Sequence, residues 1–306
     1  MTQTHHNQTP SLRRRASRWA GMGRRALLPL IAVCTCTVFA QQDAPKPLPA
    51  RCRAVVESKA KGGIRSRLAA VRALRDQTLI AAEVDALWAF FDETPEQASL
   101  PMRDLNHLRN DVLHTLVYHR PVLLDVPERL IATYRDQTQD RAWRDYCIQF
   151  LGQFYARASE DSKGDIREVL FEVAGKPGVP TAGTALIALT DNLASPEIDR
   201  ETVVAAAVAI ARESEASAGA RMTAFQICAR LVVREALPHA RQAASGETTK
   251  SVTVRMSAVA ALGTLGDESD RELLTKLSRS RDTRIRRAAI GGLRRLGQRN
   301  DGRPAR

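Results

Sequence analysis

The 306-residue chain carries 46 Lys and Arg against 34 Asp and Glu, a formal charge of +12, with 44% hydrophobic and 5% aromatic residues. That apolar content excludes a wholly disordered chain, and the length holds one large domain or two small ones. Few aromatics among many Ala and Leu favour helices packed through small side chains over a β-sandwich.

The first segment reads as targeting sequence. Arg13, Arg14, Arg15, Arg18, Arg24 and Arg25 precede the apolar run ALLPLIAVCTCTVFA, Ala26 to Ala40, which is followed by the proline-rich QQDAPKPLPA. A basic region, a short apolar core and a small residue at its end make a secretory signal, with cleavage expected after Ala40. The run is shorter than the roughly 20 residues of a membrane-spanning helix. GRRALL at 23–28 is similar to a twin-arginine export signal, although Pro29 stands where that pattern has Lys, and Met22 offers a second start. A periplasmic or secreted location is the resulting expectation, with no transmembrane helix after cleavage. Residues 41–60 read as a linker and lead-in, 61–298 as the folded region and 299–306 as a disordered basic tail. Three cysteines remain beyond the signal. Cys147 and Cys228 fall on helical core positions of different repeats, too far apart to pair, and Cys52 is expected to be exposed.

Further along, apolar residues recur at intervals of three and four, which marks one face of a helix. The same frame returns six times, anchored at Leu105, Trp143, Thr181, Ala220, Val254 and Ile285, spaced 38, 38, 39, 34 and 31 residues apart. The agreement is closest between SVTVRMSAVAALGTLG (251–266) and DTRIRRAAIGGLRRLG (282–297), where Ala258 matches Ala289, Leu262 matches Leu293 and Gly266 matches Gly297. At 105–116 the small central position is taken by Arg109. Second helices are read at 79–91, 127–135, 165–175, 197–212, 234–244 and 268–279, with Pro95, Pro177, Pro180 and Pro196 in the turns. Periods of this size imply a helical solenoid, all-α, of about six helix pairs plus a terminal helix. Four repeats place Asp or Ser four residues before Arg: Asp140 and Arg144, Ser217 and Arg221, Ser251 and Arg255, Asp282 and Arg286. The first of each pair suits an N-cap. The arginines form a row, read as holding Asp or carbonyl groups between repeats in preference to a binding stripe.

The segment 251–297 resembles HEAT repeats, in particular the short HEAT-like form of the phycobilisome-lyase type, whose motif VRxxAxxALGxLGD is represented by VRMSAVAALGTLGD. The likeness is strong over 217–297, fair at 140–156 and weak before Leu105. It implies a right-handed α-α superhelix of the HEAT/armadillo kind and a role in protein binding. It lies in the repeat framework and implies no pigment attachment.

The chain contains no HExxH, GxSxG, Walker loop, GxGxxG or CxxC, so no catalytic residue and no cofactor is expected. One cluster could serve chemistry. His107, Asp111 and His114 fall within about 60° of one helix face, a spacing that could ligate zinc. No second helix supplies a fourth ligand, and a solvated face is the simpler reading. Charge is concentrated at the far end, where residues 279–306 hold ten Arg and two Asp. Arg284, Arg287, Arg294 and Arg295 make a basic terminal patch. It reads first as the polar cap of a solenoid and second as a contact for an anionic surface. Without interleaved aromatics it argues against nucleic acid as a partner.

The chain thus reads as a non-catalytic exported scaffold for a protein partner. A metalloprotein or enzyme using the histidine stripe, and an envelope tether using the basic end, are the alternatives. Intact mass of the protein recovered from the cell envelope should correspond to a chain beginning at Gln41; a chain retaining residues 22–40 would remove the signal reading.

Overall fold

A computed structural model describes residues 49–57 and 63–300. The signal and most of the linker lie outside the described residues, as do 301–306. Fifteen α-helices follow one another: α1 (Ala50–Val56), α2 (Gly63–Leu74), α3 (Ala81–Ala89), α4 (Pro95–Ala98), α5 (Met102–Val117), α6 (Val126–Arg135), α7 (Arg141–Phe154), α8 (Glu160–Ala174), α9 (Thr181–Asp191), α10 (Arg200–Arg212), α11 (Ala218–Leu231), α12 (Leu237–Ser245), α13 (Val252–Leu265), α14 (Arg271–Leu277) and α15 (Thr283–Asn300). Among the described residues there is no strand. The fold is an all-α solenoid of two layers. Helices α5, α7, α9, α11, α13 and α15 pack in series, and each of α6, α8, α10, α12 and α14 packs on the first-layer helix that follows it.

The anchors supply the core: Leu105, Trp143, Ala220, Val254 and Ile285 are all buried. Small residues set the spacing within the first layer. A Cβ added at Gly152 would lie 2.4 Å from the Cβ of Ala188, and one at Gly263 would lie 2.4 Å from the Cα of Gly292. One at Gly183 would meet the Ala220 backbone at 3.0 Å. Backbones approach this closely only where side chains are absent or end at Cβ. Contact between second-layer helices is sparser, with α6 on α8 and α10 on α12 the main cases.

The expected N-caps form. Asp140 accepts from the amides of Ala142 and Trp143, Ser217 from Ala220, Ser251 from Val254 and Asp282 from Arg284. Each matching arginine turns back to the helix before its own. Arg144 Nε donates to the Tyr134 carbonyl at 2.8 Å, at the end of α6. Arg221 donates to Ala211 O of α10 at 3.0 Å, and also to Thr248 O and Oγ1. Arg255 donates to Ala244 O of α12 at 3.3 Å, and Arg286 to Ser280 O beyond α14 at 2.8 Å. The last carbonyls of a helix have no partner within it and carry its negative end, so a guanidinium there satisfies acceptors and dipole together.

Several expectations need correction. Cys52 is fully buried, not exposed, and Glu83 O lies 3.8 Å from its Sγ. Burial raises its thiol to about 11. The cause is α1, which occupies part of the expected linker: Cys52, Val55 and Val56 form its apolar stripe and pack against α2 and α3. Arg109 does not leave a defect at the small position. It is 4% exposed, donates to Phe91 O and Glu93 O at 2.7 and 2.8 Å, and lies over the Trp143 ring. Helix α8 begins five residues before the expected start because Ser159 caps it, and α15 extends to Asn300.

Val232, at the end of α11, holds φ 57° and is 60% exposed. A β-branched residue pays for left-handed backbone that glycine adopts freely. Val232→Gly should therefore raise stability by up to about 1 kcal/mol in denaturant unfolding. Arg221→Ala should lower it by about 2–3 kcal/mol, since three acceptors lose a buried donor, and Arg255→Ala by only about 1 kcal/mol.

Candidate interaction face

In α7, α9 and α11 the side chains six and ten residues after the anchor point away from the second layer, whereas in α5 the same positions, Asp111 and Thr115, are buried. Gln149 and Gln153 on α7, Ile187 and Asp191 on α9, and Gln226 and Arg230 on α11 occupy these positions, and all are exposed. Neighbouring helices are tied across this face. Tyr118 Oη donates to Gln153 Oε1 at 3.3 Å, Thr184 Oγ1 to Asp145 Oδ1 at 2.8 Å and Arg230 Nη1 to Asp191 Oδ1 at 2.7 Å. Asn192 Nδ2 reaches the Gly152 carbonyl at 2.9 Å. Over the Gly152–Ala188 contact the two helices frame a cleft of about 580 Å³, lined by Gln149, Gln153, Thr184, Ile187 and Asp191. Ile187 is 44% exposed there. The lining consists largely of amides, a hydroxyl and one aliphatic side chain. Such groups form hydrogen bonds without the desolvation cost of unpaired ions. The second layer differs: a cleft of about 420 Å³ between α6 and α8 is rimmed by Glu128, Asp165, Glu168 and Arg135.

The histidine stripe is divided among different surroundings. His107 is exposed. Asp111 is 6% exposed and lies 3.5 Å from Arg72 Nε, on α2, and 3.1 Å from Arg75 Nη2, in the turn just after it. His114 stacks on Tyr118 with ring centroids 4.6 Å apart and meets the edge of Phe150. Two guanidiniums thus hold the carboxylate that the zinc reading would need. Among the described residues no group of three His, Cys, Asp or Glu is placed to hold a metal ion.

The basic patch also divides. Arg284 pairs with Asp282, and Arg295 donates to the Ala260 carbonyl at 3.2 Å. Arg287 and Arg294 are exposed. In the four-residue row, every guanidinium is directed to backbone carbonyls, as described above.

The residues of the α7–α9 cleft were not singled out from the sequence. The repeat frame held their signal, because positions six and ten after the anchors of α7, α9 and α11 lie opposite the buried face.

Comparison with known proteins follows from this geometry. Residues 204–294 match the family model of HEAT repeats, so this part of the chain is built of them. No curated protein matches the sequence. A solved structure, human deoxyhypusine hydroxylase in complex with glycerol, is similar at 15% identity over 81% of this chain and 95% of that one, with a TM-score of 0.33. That similarity is too low to carry a residue or an activity across. Among the described residues no helix is long and apolar enough to cross a membrane.

His114 makes one property of this face dependent on pH. Burial, then the charge of Arg75, lowers its pKa below 6.5, with Asp111 opposing. The unfolded chain therefore binds this proton more readily than the fold does. Stability from this group is intact above pH 6.5 and is lost as the pH falls from there through the folded value. His114→Gln should show a smaller drop in melting temperature than the parent between about pH 7.5 and about pH 5; an equal drop would assign the acid sensitivity elsewhere.

Proposed function

We propose that the protein is an exported, non-catalytic scaffold that binds a protein partner across the first-layer face, centred on the α7–α9 cleft. The carrying observation is the face itself. Its side chains are tied from repeat to repeat, are mostly uncharged and surround a half-exposed isoleucine. Pre-ordered side chains lose little conformational freedom on association, and an apolar centre within a polar rim is the usual anatomy of a protein contact. The arginine row belongs to the stack in this reading and leaves the surface to amides and hydroxyls. The targeting segment read from the sequence supports a task in the cell envelope.

Recovery of bound protein from an envelope fraction tests the reading. Ile187→Arg, at the cleft, should abolish capture of the partner that the parent retains. Glu168→Arg, in the α6–α8 cleft, should keep it, with both variants melting like the parent. A partner lost with Glu168→Arg and kept with Ile187→Arg would move the site to the second layer.

A further inference from the structure

The end face of α15 displays side chains that the stack does not use. In α13, Gly263 lies against Gly292 of α15, and Val259, on the same side of α13, is fully buried. The repeat frame puts Arg294 at the position of Gly263, Ile290 at that of Val259 and Arg287 at that of Met256. These three residues therefore lie on the face of α15 turned away from the stack, opposite the buried Ile285, Ala289 and Leu296. Arg287 and Arg294 are exposed, and Ile290 between them is 49% exposed. The arginine at the glycine position leaves no room for a helix packed as closely on this face as α15 is on α13.

A cap needs only a polar outer face, and mixed charge provides that without self-repulsion. This one has a single sign. Residues 279–300 hold eight arginines and one acid, Asp282. Asp282 is occupied by Arg284, and Arg286 and Arg295 are directed to carbonyls. Arg287 and Arg294 remain displayed, joined by the exposed Arg279 and Arg281 at the turn leading into the helix.

We infer that this face docks on an anionic lipid surface. The clefts between α7 and α9 and between α6 and α8 lie elsewhere, and the cleft nearest this face, on α14, is lined by Glu268, Glu272, Arg271, Lys276 and Arg279 and by none of the α15 arginines. Mobile headgroups can arrange themselves beneath fixed guanidiniums, while a lone aliphatic side chain enters the interface. No aromatic residue occurs in 279–306 to stack on a nucleic-acid base. The contact is electrostatic, so it weakens with salt, and it is independent of the partner face on the first layer.

The test uses the full chain, its Arg287→Glu, Arg294→Glu double variant, and vesicles of phosphatidylcholine with or without phosphatidylglycerol. The anionic-over-neutral affinity ratio should fall at least about tenfold in the double variant, with an unchanged melting curve. A second readout places an environment-sensitive dye at Ile290→Cys in a chain with Cys34→Ser and Cys36→Ser, the three native cysteines of the described residues being buried. Its emission should shift to the blue on anionic vesicles and not on neutral ones. An unchanged ratio, or binding without a dye shift, would overturn the assignment. So would tighter binding of polyglutamate than of anionic vesicles at equal charge, which would make the face a site for acidic protein.

Discussion

Each second-layer helix ends against the next first-layer helix, with carbonyls that no intrahelical amide can reach. Burying that end without donors would cost more than the packing around it gains. The chain meets this constraint with arginine. Arg67, Arg109, Arg144, Arg221, Arg255 and Arg286 all direct guanidinium groups to backbone carbonyls beyond their own helices. A long side chain with several donors in a plane can satisfy two or three acceptors at once, as Arg221 does. The contact also fixes register, because the arginine reaches the helix end only from one turn inside its own helix. At α9 the position holds Ala182, and there the Ser217 amide ties the turn through the Pro177 carbonyl.

Small residues complete the arrangement. Arginine sets where a second-layer helix ends, while Gly152, Gly183 and Gly263 set how near successive first-layer helices come. Tight spacing in one layer and sparse contact in the other expose a continuous first-layer surface whose side chains reach their neighbours across repeats. That closeness is why Thr184 meets Asp145 and Asp191 meets Arg230. It also places a cleft directly above the tightest backbone contact.

Charge is thereby sorted by role. Most repeat arginines are consumed within the stack, and the first-layer face is left largely to uncharged groups. Among the described residues positive charge accumulates at α15, where no carbonyl awaits Arg287 or Arg294. The formal charge of +12 resides in the first 40 residues and in 279–306, which leaves the helices between them close to neutral.

The repeat anchors, the four N-caps and the two-helix period were legible in the sequence because each depends on residues within one or two helical turns. Trp143 and Val254 are buried for the reason their spacing states. The tertiary structure alone decided what depends on the element lying opposite. Cys52 is buried because α1 folds onto α2 and α3, and Asp111 is held because Arg72 and Arg75 extend from α2 and the turn that follows it. Arg109, out of place in its own frame, caps a turn sixteen to eighteen residues earlier. The arginines of α15 look alike in sequence, yet Arg295 meets a carbonyl of α13 and Arg294 meets none. Helical periodicity determines which face of a segment is apolar; it carries no information on which helix end, carbonyl or guanidinium that face will meet.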